Sequence, residues 1–259
     1  MIKFFRHIRK NLLNQGKTTK YLFYATGEIL LVVIGILLAL GINNWNSQLQ
    51  LKKSNKVFLN KMLKDLDANE KRLGGIVYDS LNDSTYPSLE EAVKASDSIV
   101  KLTYVGLNES HFNYLMSAPF SAGNSLLNLN DNTYSELSNT GKLYSLGSDT
   151  LVEAITTYYK RGERESLYNV QNSKDVTDGL IKYEDGFGKL MMDYYRDSLN
   201  FNLNNYPFYT NKNSKEYNDY QIGMDLVDGG QRQNMGKMKQ IIIETKKLKE
   251  FIKTELQND

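Results

Sequence analysis

The chain has 259 residues, with 32 Lys/Arg, 30 Asp/Glu, two histidines and no cysteine, for a formal charge of +2. The lack of cysteine excludes disulfides, thiol catalysis, iron–sulfur clusters, cysteine-ligated zinc and a lipoprotein anchor. Residues 1–20 carry six basic groups and no acid, whereas residues 43–259 hold 26 basic against 29 acidic groups, a net of −3. A basic stub on a near-neutral body orients a membrane protein, and it lacks the cationic face of a nucleic-acid-binding domain.

In chain order, the stub comes first. Phe4, Phe5, Ile8, Leu12 and Leu13 alternate with Arg6, Arg9 and Lys10 at helical spacing. This reads either as a short amphipathic helix on an anionic leaflet or as a topology signal with incidental apolar residues. Tyr21–Ile42 follows, 22 residues with one charge. At helical rise it covers roughly 33 Å, enough for a hydrocarbon core of about 30 Å. Tyr21 and Tyr24 at one end and Trp45 at the other are the expected interfacial aromatics. The positive-inside bias predicts a cytoplasmic stub at 1–20, a transmembrane helix at 21–42, and the rest of the chain outside the cytoplasm. A cleaved signal peptide is the rival reading, through Ala39-Leu40-Gly41, but the apolar run is longer than a usual signal core and contains Glu28.

Glu28 lies roughly 10 Å inside the cytoplasmic end of the span. A central membrane charge costs about 2.5–3.5 kcal/mol. Steps of three and four residues place Glu28 on one stripe with Gly35 and Ala39, and small residues four apart permit close helix approach. The stripe is expected to face protein. Three roles stay open for the carboxyl group: a protonated packing residue in a homo-oligomer, a recognition point for a membrane-protein partner, or a proton-coupling group in a stator-like subunit.

Beyond the span, Leu51, Phe58, Met62, Leu66, Leu73 and Ile76 mark an amphipathic helix or short coiled coil over 43–77, ending near Gly74-Gly75, with Asn69 on its apolar stripe. Residues 78–259 are expected to form an all-α domain. Ser88 to Glu91 has capping-box spacing and opens a helix over 88–104. The same spacing at Thr133/Glu136 and Thr150/Glu153 predicts a short helix ending before Gly141 and another over 150–170. Further helices are expected at 109–117, 121–129 and 175–199. Residues 200–221 read as an irregular loop, whose Tyr206, Phe208 and Tyr209 are a candidate binding surface. After Gly229-Gly230, a final helix over 231–256 carries Met238, Ile241, Thr245, Leu248 and Ile252 on one stripe. That stripe is expected to pack antiparallel on the membrane-proximal helix.

No catalytic constellation is legible. His111 is the one histidine beyond the stub and is read as a surface or helix-cap residue. There is no Gly-x-Ser-x-Gly elbow, Gly186–Lys189 lacks phosphate-loop spacing, and Glu90/Glu91 and Glu184/Asp185 fit solvated helical faces. We therefore expect a non-enzymatic scaffold or accessory subunit with no cofactor and no metal. The alternatives are a small-molecule sensory module and the proton-coupled role.

The stretch KYLFYATGEILLVVIGILLALGINNWN is similar to the opening of a Bacteroidota family of uncharacterised single-span membrane proteins, domain-of-unknown-function family 6090. Tyr24, Ala25, Gly27, Glu28, Ile29, Leu31–Ile36, Ala39, Leu40 and Ile42–Asn46 fit its pattern. Gly41 departs, since a larger polar residue is usual there. A looser second resemblance covers Thr133–Leu137, Gly141–Leu143 and Tyr158-Tyr159. The resemblance implies a bacterial inner-membrane location with a periplasmic body and brings no activity. Asp79-Ser80-Leu81, Asp97-Ser98-Ile99 and similar triplets resemble the O-glycosylation acceptor motif of exported Bacteroidota proteins, and equally fit turn and cap chemistry.

Overall fold

The computed structural model describes residues 18–79, 87–119 and 126–258; residues 1–17 of the basic stub, Asp83 and the first part of the helix expected at 121–129 lie outside them. The chain divides into two units, Met1–Val57 and Phe58–Asp259. The first contains most of helix α1 (Thr18–Tyr78). Among the described residues every regular element is helical, with no strand.

The second unit is built from the end of α1, α2 (Leu89–Val105), α3 (Glu109–Ser117), α4 (Asn132–Asn139), α5 (Asp149–Tyr183), α6 (Lys189–Arg196) and α7 (Lys215–Asn258). The apolar stripe read from the sequence packs from Phe58 onward, while Leu51 is exposed. Phe58, Met62, Leu66 and Leu73 of α1 are buried with Met238, Ile241, Leu248 and Ile252 of α7 in one core cluster. Lys249 pairs with Asp67 and Glu70 while Lys239 lies over the Tyr78 ring, so α7 runs antiparallel to this part of α1. Helix α1 passes Gly74 and Gly75 and ends at Tyr78, because its last turn still buries Val77.

Capping explains most helix starts. Ser88 accepts from the Glu91 amide at 3.2 Å, and Glu91 accepts from the Ser88 amide at 2.9 Å, so this capping box forms as expected. The other two do not. Helix α5 is capped by Ser148, whose hydroxyl accepts from Leu151 N, rather than by Thr150. At α4 the Thr133 amide is instead taken by Asp65 of α1 at 3.0 Å, and Glu136 pairs outward with Lys61.

Four further expectations are corrected. The predicted helix at 121–129 is not helical over 126–130. These residues form an extended strap whose backbone is satisfied by distant side chains: Arg72 donates to the carbonyls of Leu126 (2.7 Å) and Asn128 (2.6 Å). Asn69 both donates to Asn130 O and accepts from Asn130 N, and Asn169 accepts from Leu127 N. A backbone supplied with those partners gains nothing by helix formation. Helix α5 runs unbroken through 171–174, where Asn172 and Ser173 are buried, and only a π-turn at Glu184–Gly188 separates it from α6. Helix α6 then ends at Arg196, short of the expected 199.

The last correction is the largest. Helix α7 starts at Lys215 rather than 231, opened by Ser214, whose hydroxyl accepts from Tyr217 N at 3.1 Å. Gly229-Gly230 does not break it. A Cβ on Gly230 would stand 2.7 Å from Asn172 O, one on Gly223 2.6 Å from Gly179 O, and one on Gly186 2.6 Å from Glu216 O. These glycines let α5 and the π-turn after it touch α7 backbone to backbone, so they serve packing rather than termination.

Candidate functional site

In the first unit, the apolar part of α1 is long enough to cross a membrane, and none of its apolar window is buried. Leu30, Val32, Ile36, Leu38 and Leu40 are all exposed, as are Tyr24 and Trp45, the expected interfacial aromatics. The side chain of Tyr21 is outside the described set. Gly35 has open space around the position of a Cβ, Ala39 is exposed, and Glu28 is half-buried and has an interaction partner. The stripe of Glu28, Gly35 and Ala39 is thus present on one helix.

The aromatic loop is placed differently from its reading as an open binding surface. Tyr209 is 1 % exposed, and Tyr206 and Phe208 are half-buried. All three belong to a second core cluster with Phe112, Phe187, Tyr217 and Tyr220. Phe187 stacks on Tyr220 at 4.1 Å, Tyr206 stacks on Phe201 at 5.3 Å, and the Tyr209 hydroxyl donates to Asn108 O at 3.3 Å. Rings that bury this much apolar surface go inward when a neighbour is available. His111 accepts from the Asn108 amide through Nδ1 at 3.3 Å, the helix-cap role expected for it.

The second unit carries one feature that the sequence did not single out as a site. A cleft of about 530 Å³ opens between the strap, the start of α4 and the middle of α5. Gly162 shapes it, because a Cβ there would collide with Leu129 of the strap. At its base Tyr134 stacks on Tyr159 at 4.5 Å and 14°, and Tyr158 meets Tyr159 edge-on at 5.0 Å. Tyr158 has a partner, the Thr245 hydroxyl at 2.8 Å. Tyr159 is 5 % exposed and its hydroxyl has no hydrogen-bond partner.

Burial pushes the Tyr159 hydroxyl far above the ordinary tyrosine range, so it stays protonated and able to donate. Tyr134 is also raised, first by burial and then by the carboxylate of Glu163 and, more weakly, Asp131. The cleft thus combines the stacked Tyr134 and Tyr159 rings with two carboxylates, Asp131 and Glu163, while the Tyr159 hydroxyl itself is sealed from it. Among the described residues, no group of three or more His, Asp or Glu is placed to hold a metal ion. The available signal for this site was indirect. Asn69 interrupts an apolar stripe, and a buried amide has to be bonded to something; here it bonds the strap that forms one wall of the cleft.

No curated protein and no solved structure matches the chain. The model of a family of unknown function, DUF6090, matches residues 28–186, which include the apolar stretch from Glu28 onward, the strap and every residue lining the cleft. The chain belongs to that family.

Proposed function

We propose that this protein is a single-span bacterial inner-membrane protein with a cytoplasmic N-terminus and a periplasmic helical body, serving as a non-enzymatic interaction scaffold or accessory subunit. The observation that carries this reading is the apolar stretch of α1, none of which is buried by the chain itself. So much exposed apolar surface needs a nonaqueous neighbour. The basic residues before it and their absence just after it set the orientation. The stripe of Glu28, Gly35 and Ala39 provides the contact with a second copy or with another membrane protein.

The test is affinity purification from native membranes through a C-terminal tag, comparing wild type with Glu28→Gln by mass spectrometry and native mass. A homo-oligomer or a membrane partner recovered with the wild type supports the reading. Loss of that partner in Glu28→Gln makes the carboxyl group its recognition point. Crosslinking in native membranes that found isolated monomers alone would remove the scaffold role. Proteolysis of spheroplasts that left residues 43–259 intact would overturn the orientation.

A further inference from the structure

We infer that the outward face of α7 is a contact surface for a second copy of this chain, with the two α7 helices side by side and parallel. Steps of three and four residues along that face give Ile222, Leu226, Gly229, Gln233, Gly236, Gln240 and Ile243. Ile222, Leu226 and Ile243 are exposed, and a Cβ on Gly229 or Gly236 would meet nothing within 4 Å. No residue of this stripe is charged. The five charged residues between Ile222 and Ile243 are all turned sideways, toward the helices that flank α7. Asp225 accepts from the Tyr104 hydroxyl at 2.8 Å, Asp228 and Arg232 join Ser96 and Asp97 of α2, Lys239 pairs with Glu90 of α2, and Lys237 pairs with Glu165 of α5. The outward face of α5, by contrast, is an ordinary solvated one, with Lys160, Glu163, Lys174 and Asp178 all exposed.

The uncharged stripe is about 32 Å long at helical rise. Its two open glycines weaken the helix relative to alanine and return no packing within the chain. A second copy supplies that packing. In a parallel pair each residue meets its own counterpart, so any charge on the stripe would face a like charge, and this stripe has none. Isoleucine then meets isoleucine, glycine meets glycine, and Gln233 and Gln240 each meet an amide that both donates and accepts. Gln240 gives one N–H to Glu244 at 3.2 Å, which leaves its second N–H and its carbonyl for the partner. An antiparallel pair that kept Gly229 opposite Gly236 would instead set Gln240 against the partner's Leu226, burying an amide on an apolar side chain. The contact is one helix face, smaller than a standard interface. Its strength therefore rests on the proposed membrane anchoring, by which two copies in one bilayer meet at high effective concentration. It makes no use of Glu28, Gly35 or Ala39.

The chain has no cysteine, so single cysteines report the contact. Gln233→Cys and Gln240→Cys, each oxidised in native membranes, should give disulfide-linked dimers, and Lys160→Cys on the outward face of α5 should not. Gln233→Glu added to the Gln240→Cys chain sets like charges opposite each other and should abolish the crosslink without changing the melting temperature. Co-expressing that chain with one carrying Gln233→Lys and Gln240→Cys should restore it, because opposite charges then meet. Equal crosslinking of Lys160→Cys, a crosslink that Gln233→Glu does not weaken, or crosslinking of Gln240→Cys with a Leu226→Cys chain alone would overturn the proposal. A chain retained in carbonate-washed membranes that gives no crosslink at 233 or 240 would overturn this contact and leave the membrane reading standing. Absence of the chain from washed membranes would overturn the membrane reading and, with it, this contact.

Discussion

Neighbouring glycines on α7 should respond to the same substitution with opposite signs. A Cβ on Gly229 meets nothing within 4 Å, while one on Gly230 would stand 2.7 Å from both Asn172 O and Val176 Cγ2. The strongest case is Gly223, where the obstructing atoms are all backbone: Tyr183 N, Gly179 O at 2.6 Å and Tyr183 Cα at 2.9 Å. Backbone cannot rotate aside. Ordinary contact starts near 3.4 Å, so to clear its nearest obstruction, Tyr183 N, Gly223→Ala must part α5 and α7 by about 1 Å and loosen packing along both helices. Overpacking of this kind costs about 1–3 kcal/mol, and more where backbone has to move. Replacing a mid-helix glycine returns about 0.5–1 kcal/mol. The net for Gly223→Ala is a loss of roughly 2 kcal/mol, or about 4–8 °C in melting temperature for a domain of this size. Gly230→Ala should fall in the same direction, by less, because Val176 can shift. Gly229→Ala meets no obstruction and should gain about 0.5–1 kcal/mol. The assay is thermal unfolding of the full chain by far-UV circular dichroism. If Gly223→Ala matched or exceeded the wild type, or if Gly229→Ala and Gly230→Ala moved together, the close crossing of α5 and α7 would be refuted.

Asn69→Leu removes two hydrogen bonds to Asn130 and leaves a partly buried backbone amide and carbonyl without them. It should cost about 2–4 kcal/mol in denaturant titration, while an unchanged midpoint would show that the strap is not held from α1. Tyr209→Ala should cost about 3–5 kcal/mol, the range for emptying an aromatic core position, whereas Tyr144→Ala, at an exposed ring, should change little. If Tyr209 were an exposed recognition residue, both variants would change stability little. Glu70 and Glu165 are held below the ordinary carboxylate range, by Lys249 and Lys237 respectively. A lowered folded-state pKa gives stability that is present above the unfolded value, about 4.3, and is lost as pH falls through the folded value. Unfolding midpoints should therefore drop below about pH 4.3, and Lys249→Met should flatten that drop; a midpoint that rises on acidification contradicts the assignment.

The parts of the fold legible in the sequence are those written in local patterns. The 3- and 4-residue apolar steps of α1 and α7 give their buried faces, and Ser88 with Glu91 gives the start of α2. The apolar, nearly uncharged run of α1 is a matter of composition and was equally visible. What escaped is set by residues far apart. Leu126–Asn130 has the composition of a helix, yet Arg72, Asn69 and Asn169, more than 40 residues away, take its backbone groups. The aromatic residues of 200–214 have no helical period and so read as surface; only α3, the π-turn and the start of α7 together show that they are core. The cleft is legible in no single segment, since its walls come from the strap and from α5 and its base from α4.

The loop expected over 200–221 is irregular over 200–214, and one sequence signal could have given its last seven residues to α7 and removed the break at Gly229-Gly230. Gly179 and Gly186 are seven residues apart, and so are Gly223 and Gly230. Two helical turns carry each pair along one face, so matched heptad glycines in two segments mark a close antiparallel crossing rather than two helix ends. The polar residues at the crossing agree with this. Asn172 and Asn234 are both buried, and Asn172 Nδ2 donates to Asn234 Oδ1 at 2.9 Å. A shift of α7 by one turn would bring side chains onto the glycine notches and separate that amide pair. Glycine fit and amide pairing therefore select one register between α5 and α7. That register holds the first core cluster, beside the cleft, and the second, under the aromatic segment, in a fixed relation along the bundle.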